Sequence, residues 1–243
     1  CCRQIRSTKA PSPTGVPSRW FGESTISISL PMPWDRRISS FDRTFGSIHT
    51  PAEAGGGGYP GDTRGGGVIR IRAGSLVVNG VIRAPGQSIS GHDLGAGAGG
   101  SVWITTTKVN GSGSISANGG DGCEAGGGGA VAIEYSDATS TLPTLAARAG
   151  SAQCAGRIGG PGTIRVSGPA STHGDVIIDS MSSGIGTTEL PSLGSGTAQA
   201  GSSGATLVTG RASDIQPFFK GHWVRITAAD GTVRGTWRIA SIN

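Results

Sequence analysis

The sequence predicts an all-β fold: a right-handed parallel β-helix or β-solenoid with Gly-rich loops, plus a small C-terminal β module. Three observations predict it. Four aliphatic strand segments recur at a near-constant spacing. Their alternate residues form matching columns. Glycine accounts for 45 of 243 residues, where globular chains average about 7%.

The four segments are residues 67–71 (GVIRI), 100–104 (GSVWI), 129–133 (GAVAI) and 162–166 (GTIRV), with starts 33, 29 and 33 residues apart. A period near 30 marks a repeat architecture. Ile69, Val102, Val131 and Ile164 form one aliphatic column, and Ile71, Ile104, Ile133 and Val166 a second. Arg70, Trp103, Ala132 and Arg165 lie between them. Side chains alternate across a strand, so the aliphatic columns face inward and the mixed column outward. A disordered linker has no reason to keep two such columns in phase.

A second strand follows the first in each unit: residues 80–86 (GVIRAPG), 113–119 (GSISANG), the degenerate 144–150 (TLAARAG) and a fourth at 174–179 (GDVIID). Each unit thus reads strand, short turn, strand, glycine loop. No unit can bury its own face, so units stack. The glycines suit sharp turns, where φ is positive, and close approach of neighbouring backbones.

Cys123 lies four residues after Gly119, and Cys154 four residues after Gly150. The two occupy the same phase of successive units. Stacked residues are about 4.8 Å apart, within the range of a disulfide. A Cys123–Cys154 bridge is expected, with an oxidising location outside the cytosol. Cys1 and Cys2, as neighbours, are expected to pair with another segment of a parent protein.

The flanks divide the chain further. Residues 1–51 read as an N-terminal cap or lead-in segment, with a strand at 24–30 (STISISL) and the aromatic residues Trp20 and Trp34. Residues 52–180 form the Gly-rich β-solenoid and 181–204 a Ser/Gly-rich linker. Residues 205–243 form the small β module, with two strands around Ala229, Asp230 and Gly231. It ends within a strand, so a segment from elsewhere is expected to complete it. The chain begins with Cys, which reads as a mature or excised piece of something longer.

The charge is +5 with a sequence pI near 9.4. The basic residues are spread along the chain rather than clustered with aromatics, so no nucleic-acid partner is expected. An anionic polysaccharide suits this charge, and self-association or other segments of a longer parent protein are the remaining partners. No apolar run approaches the roughly 20 residues of a membrane span. No C-x-x-C pair occurs and the four histidines are scattered, so neither a metal nor another cofactor is expected. Glycoside cleavage needs a pair of carboxylates, yet no repeat column holds two acids; Glu134 aligns with Arg72, Thr105 and Ser167, and Asp137 with Lys108. No catalytic residues are assigned. The surface candidates are Arg70, Trp103 and Arg165, a cation–π column that also suits sugar recognition.

Residues 95–122 (GAGAGGSVWITTTKVNGSGSISANGGDG) and 125–135 (AGGGGAVAIEY) resemble the glycine-rich repeat of large secreted bacterial surface proteins of adhesin type. There a GG-S-I-W-I strand, a G-S-G-x-I-x-A-N-G-G turn and a GGGGG-R-I-A-I strand recur. The resemblance covers residues 52–168 and departs at 136–150, where SDATSTLPTLAARAG replaces the usual turn and strand. It implies a β-helix and an extracellular or cell-surface location. The expected function is structural or adhesive, with end-to-end assembly into filaments. The alternative is a carbohydrate-binding or polysaccharide-cleaving β-helix.

Overall fold

The computed structural model describes residues 3–7, 18–22, 46–59, 63–92, 94–154, 159–178 and 190–243. The strand expected at 24–30, Trp34, and the thiols of Cys1 and Cys2 lie outside them. The described residues are nearly all β, with almost no helix. In chain order the strands are β1 (Arg3–Ser7), β2 (Ser18–Gly22), β3 (Val68–Val77), β4 (Val81–Arg83), β5 (Ser101–Asn110), β6 (Ser114–Ser116) and β7 (Ala130–Tyr135). Then come β8 (Thr144–Ala146), β9 (Thr163–Ser167), β10 (Asp175–Ile177), β11 (Ser195–Thr197), β12 (Thr206–Thr209), β13 (Trp223–Ala228) and β14 (Val233–Ile242). A short 3-10 turn spans Pro217–Phe219. The chain divides into two units, Ile26–Leu190 and a second made of Cys1–Thr25 with Pro191–Asn243.

In Ile26–Leu190 the chain visits two sheets alternately. One has the order β10-β9-β7-β5-β3 and the other β4-β6-β8. β3, β5, β7 and β9 pair in parallel, placing Ile69 beside Val102, then Val131, then Ile164. Ile71, Ile104, Ile133 and Val166 align in the same way. In the second sheet Ile82, Ile115 and Leu145 form a parallel column of their own. These three columns meet in one core. Burial grows inward from the first pass: Val102, Ile104 and Ile115 are 0% exposed, while Ile69, Ile71 and Ile82 are only partly covered.

The alignment places a fourth second strand at residues 174–179, and the structure differs. β10 turns back and pairs antiparallel with β9, with Val176 opposite Arg165. Gly174, at φ +81°, permits this reversal, since L side chains avoid that region. The free edge of β9 is thereby occupied.

Of the two roles expected for the glycine runs, close approach of neighbouring backbones prevails over sharp turns. Few of them take positive φ; Gly91 and Gly111 do, but Gly97 and Gly120 do not. They pack backbone against backbone. The N–H groups of Gly97, Ala98 and Gly99 donate to the carbonyls of Gln87 (3.0 Å), Gly56 (2.9 Å) and Gly127 (2.8 Å), three different segments. A strand turns successive N–H groups to two sides only. Three directions in three residues is the repeat of an extended polyproline II chain. A Cβ on Gly97 would strike the Arg64 carbonyl, and one on Gly120 the Gln87 carbonyl. Side chains are excluded here because the segments bond to one another on several sides.

Side chains at the turns add rung-to-rung links. Asn110 Oδ1 accepts from the N–H of Thr141 (3.0 Å), Asn118 Oδ1 from Arg148 (3.0 Å) and Asp121 Oδ1 from Ser151 (2.7 Å). Cys123 and Cys154 are disulfide-bonded, with α-carbons 5.0 Å apart, as their shared phase requires. The neighbouring Gly122 and Ala152 form a parallel bridge.

The second unit is a six-stranded antiparallel sheet in the order β11-β2-β13-β14-β1-β12. Its end strands are joined by an Ala198–Thr209 bridge, so the sheet closes into a barrel. Its interior holds Leu193, Leu207, Ile215, Phe219, Val224, Trp237 and Ile239, filling it with side chains as small barrels do. Two boundaries are corrected. Residues 1–51 are not one lead-in segment, because β1 and β2 belong to this barrel. Residues 181–204 are not wholly a linker, because Leu193 and β11 are built into it. β14 is completed by β1 of the same chain.

Candidate functional site

The outward face of the parallel sheet carries the side chains that the repeat does not need for its core. Strand alternation puts Arg70 and Arg72 there from β3, and Trp103 and Thr105 from β5. Register sets Arg70 beside Trp103 and Arg72 beside Thr105. The Arg70 guanidinium carbon lies 4.1 Å from the Trp103 ring centroid, a cation–π contact. The Trp103 ring is half-buried, and its Nε1 has no hydrogen-bond acceptor. The ring is therefore oriented by the strand and the cation rather than by a hydrogen bond.

The column does not continue as a surface. Ala132 and Arg165 are each 2% exposed. Arg165 is corrected from surface candidate to buried structural residue. Its guanidinium donates to the His173 carbonyl at 3.0 Å, and a Cβ on Gly174 would come within 3.0 Å of it. The return of β10 along β9 brings this loop over the side chain, which a repeat alignment cannot anticipate. At the other end of the face, Ser101 Oγ donates to the Glu53 carbonyl at 2.6 Å. In the Arg70 column the open part of the face is confined to the first two passes, whereas in the Arg72 column Thr105, Glu134 and Ser167 all stay partly exposed. Arg64 and Arg83 of the first pass are also exposed.

Two carboxylates, Asp137 and Asp230, are tied into turns. Asp137 and Lys108, aligned by sequence, approach to 3.7 Å, and Lys108 Nζ donates to Thr139 Oγ1 at 2.7 Å. Asp137 Oδ1 accepts from the backbone N–H and the hydroxyl of Thr139, both at 2.7 Å. The Thr139 backbone N–H, then its hydroxyl, and further the Lys108 charge hold the Asp137 carboxyl below its ordinary pKa. A carboxylate held ionised in this way is a poor proton donor. Asp230 is likewise lowered, first by the Thr232 backbone N–H, within the β13–β14 turn. Among the described residues no group of three or more His, Cys, Asp or Glu is placed to hold a metal ion. No helix is long and apolar enough to cross a membrane.

Sequence reasoning passed over the Asn110, Asn118 and Asp121 links between passes. Their signal was present in the recurrent Asn-Gly and Asp-Gly pairs, read only as turns. What the open face offers chemically is two arginine forks, one of them stacked, with a hydroxyl beside the other. Such a set binds anions and transfers no proton at neutral pH. No family model matches this chain, and no curated protein or solved structure matches it.

Proposed function

We propose that this chain is an extracellular structural or adhesive element of a bacterial surface, built on a right-handed parallel β-solenoid. The observation that carries the reading is the disulfide between same-phase residues of successive passes, Cys123 and Cys154. A bond of this kind persists in oxidising surroundings. Support also comes from the aligned aliphatic columns and the backbone-bonded glycine segments, which hold successive passes together with small residues. The resemblance to glycine-rich secreted surface proteins agrees with this role.

End-to-end assembly remains part of the proposal, with one restriction. β10 occupies the outer edge of β9, so strand addition does not use that edge. The first pass offers the partly covered residues Ile69, Ile71 and Ile82, and the exposed Val68, Val77 and Val81. Negative-stain electron microscopy over a concentration series, with and without reductant, tests this. Regular filaments support assembly; discrete monomers at every concentration remove it. Carbohydrate binding without cleavage is the second reading, favoured by the stacked Arg70 and Trp103 pair on an open sheet face.

A further inference from the structure

We infer that the outer face of β3 and β5 binds an acidic glycan, with Arg70 and Arg72 as the residues that hold its carboxylate or sulfate groups. The inference rests on the extracellular reading and gives it a ligand class.

Arg70 and Arg72 are two residues apart on one strand, so both leave the same face of the sheet, roughly 7 Å apart. Both are exposed, and neither has a carboxylate partner among the described residues. Two unpaired like charges this close add nothing to the fold. Arg70 lies over Trp103, and a cation–π contact uses the face of the guanidinium and not its in-plane N–H donors. The stack also restricts the side chain before any ligand arrives, so less rotamer entropy is lost on binding. Arg72 lies beside Thr105, whose hydroxyl is a neutral donor and acceptor suited to sugar hydroxyls.

The spacing favours an extended anion over a single one. The two arginines leave one face of a single strand two residues apart, so their charges are spread along it. A polymer with an acid group on each residue meets both at once. The burial of Ala132 and Arg165 ends the site in the Arg70 column, and in the Arg72 column the half-buried Glu134 beside Thr105 bounds it with a carboxylate that an anion avoids. Nucleic acid fits less well: among the described residues Trp103 is the one aromatic side chain that strand pairing sets beside Arg70 and Arg72, and Arg70 covers it, so no ring is left to stack bases.

The test measures binding of the intact, disulfide-bonded chain to polygalacturonate by calorimetry at low and moderate salt. Neutral dextran and duplex DNA serve as controls. The expected result is binding to polygalacturonate that weakens with salt, with none to dextran. R70A/R72A is expected to weaken it at least tenfold while leaving the melting temperature within a degree or two. R72K, which keeps the charge, is expected to stay within a few-fold of the parent. Unchanged affinity in R70A/R72A overturns the inference, as does equal binding to dextran. Preference for duplex DNA at matched salt overturns it in favour of nucleic acid. A protein that is exported and folded yet ignores polygalacturonate overturns this inference alone and leaves the surface role standing.

Discussion

Cys123 and Cys154 are bonded at a sequence separation of 31, with their α-carbons 5.0 Å apart. The parallel bridge beside them, Gly122 to Ala152, sets this distance without the sulfurs. The bond therefore acts mainly on the unfolded chain. A loop of that length corresponds to about 3–4 kcal/mol on the chain-entropy scale. Reduction, or the C123S/C154S pair, is expected to lower stability by that order without changing the fold. Denaturant midpoints with and without reductant check it, and coincident midpoints would refute it.

Gly97 and Gly67 make a matched comparison. A Cβ on Gly97 would strike the Arg64 carbonyl, whereas one on Gly67 meets nothing within 4 Å. G97A is expected to cost about 1–3 kcal/mol, since backbone must move to relieve the overlap. G67A is expected to be neutral or stabilising by up to about 1 kcal/mol, through the unfolded state. Thermal unfolding followed by circular dichroism separates the two. Equal effects would argue against backbone exclusion as the reason for the glycine runs.

Ile104 and Ile71 share a column but not an environment. Ile104 is 0% exposed, and Ile71 is only partly covered. I104A is expected to cost about 3–4 kcal/mol, as fully buried isoleucines do, and I71A clearly less. The difference reports how open the first pass is in solution. Equal losses would mean that the first pass is covered after all.

Asp137 gives a pH signature. Its pKa is lowered on folding by the Thr139 N–H and hydroxyl and by Lys108. Its contribution is then present above the ordinary carboxylate range and fades as pH falls through the lowered value. An NMR titration of the Asp137 carboxyl is expected to give a midpoint below the ordinary carboxylate range. D137N is expected to loosen the 137–140 turn, seen as faster amide exchange at Thr139. An ordinary midpoint for Asp137 would count against the geometry of this turn.

The parts of the fold legible in the sequence were those that a period dictates. Ile69, Val102, Val131 and Ile164 sit side by side because parallel stacking turns a fixed spacing into a fixed neighbour. Cys123 and Cys154 were found by the same rule, and so was the stacking of Arg70 on Trp103. What the period does not encode is what lies across the repeat. Arg165 shares its phase with Arg70, yet the reversal at Gly174 covers it. β1 and β2 find partners near the far end of the chain, and neither alternation nor composition points across such a distance. The glycine runs were legible in part: close approach of backbones was expected, but not that the segments bond to one another on several sides.

The barrel is built from the two ends of the chain, with the whole glycine-rich unit threaded between β2 and β11. During synthesis, β1 and β2 emerge first and their partners last. Local passes can close onto one another as they appear, while the barrel strands must stay unpaired until β11 to β14 have been made. The topology thus lets the glycine-rich passes close while the barrel still lacks β11 to β14.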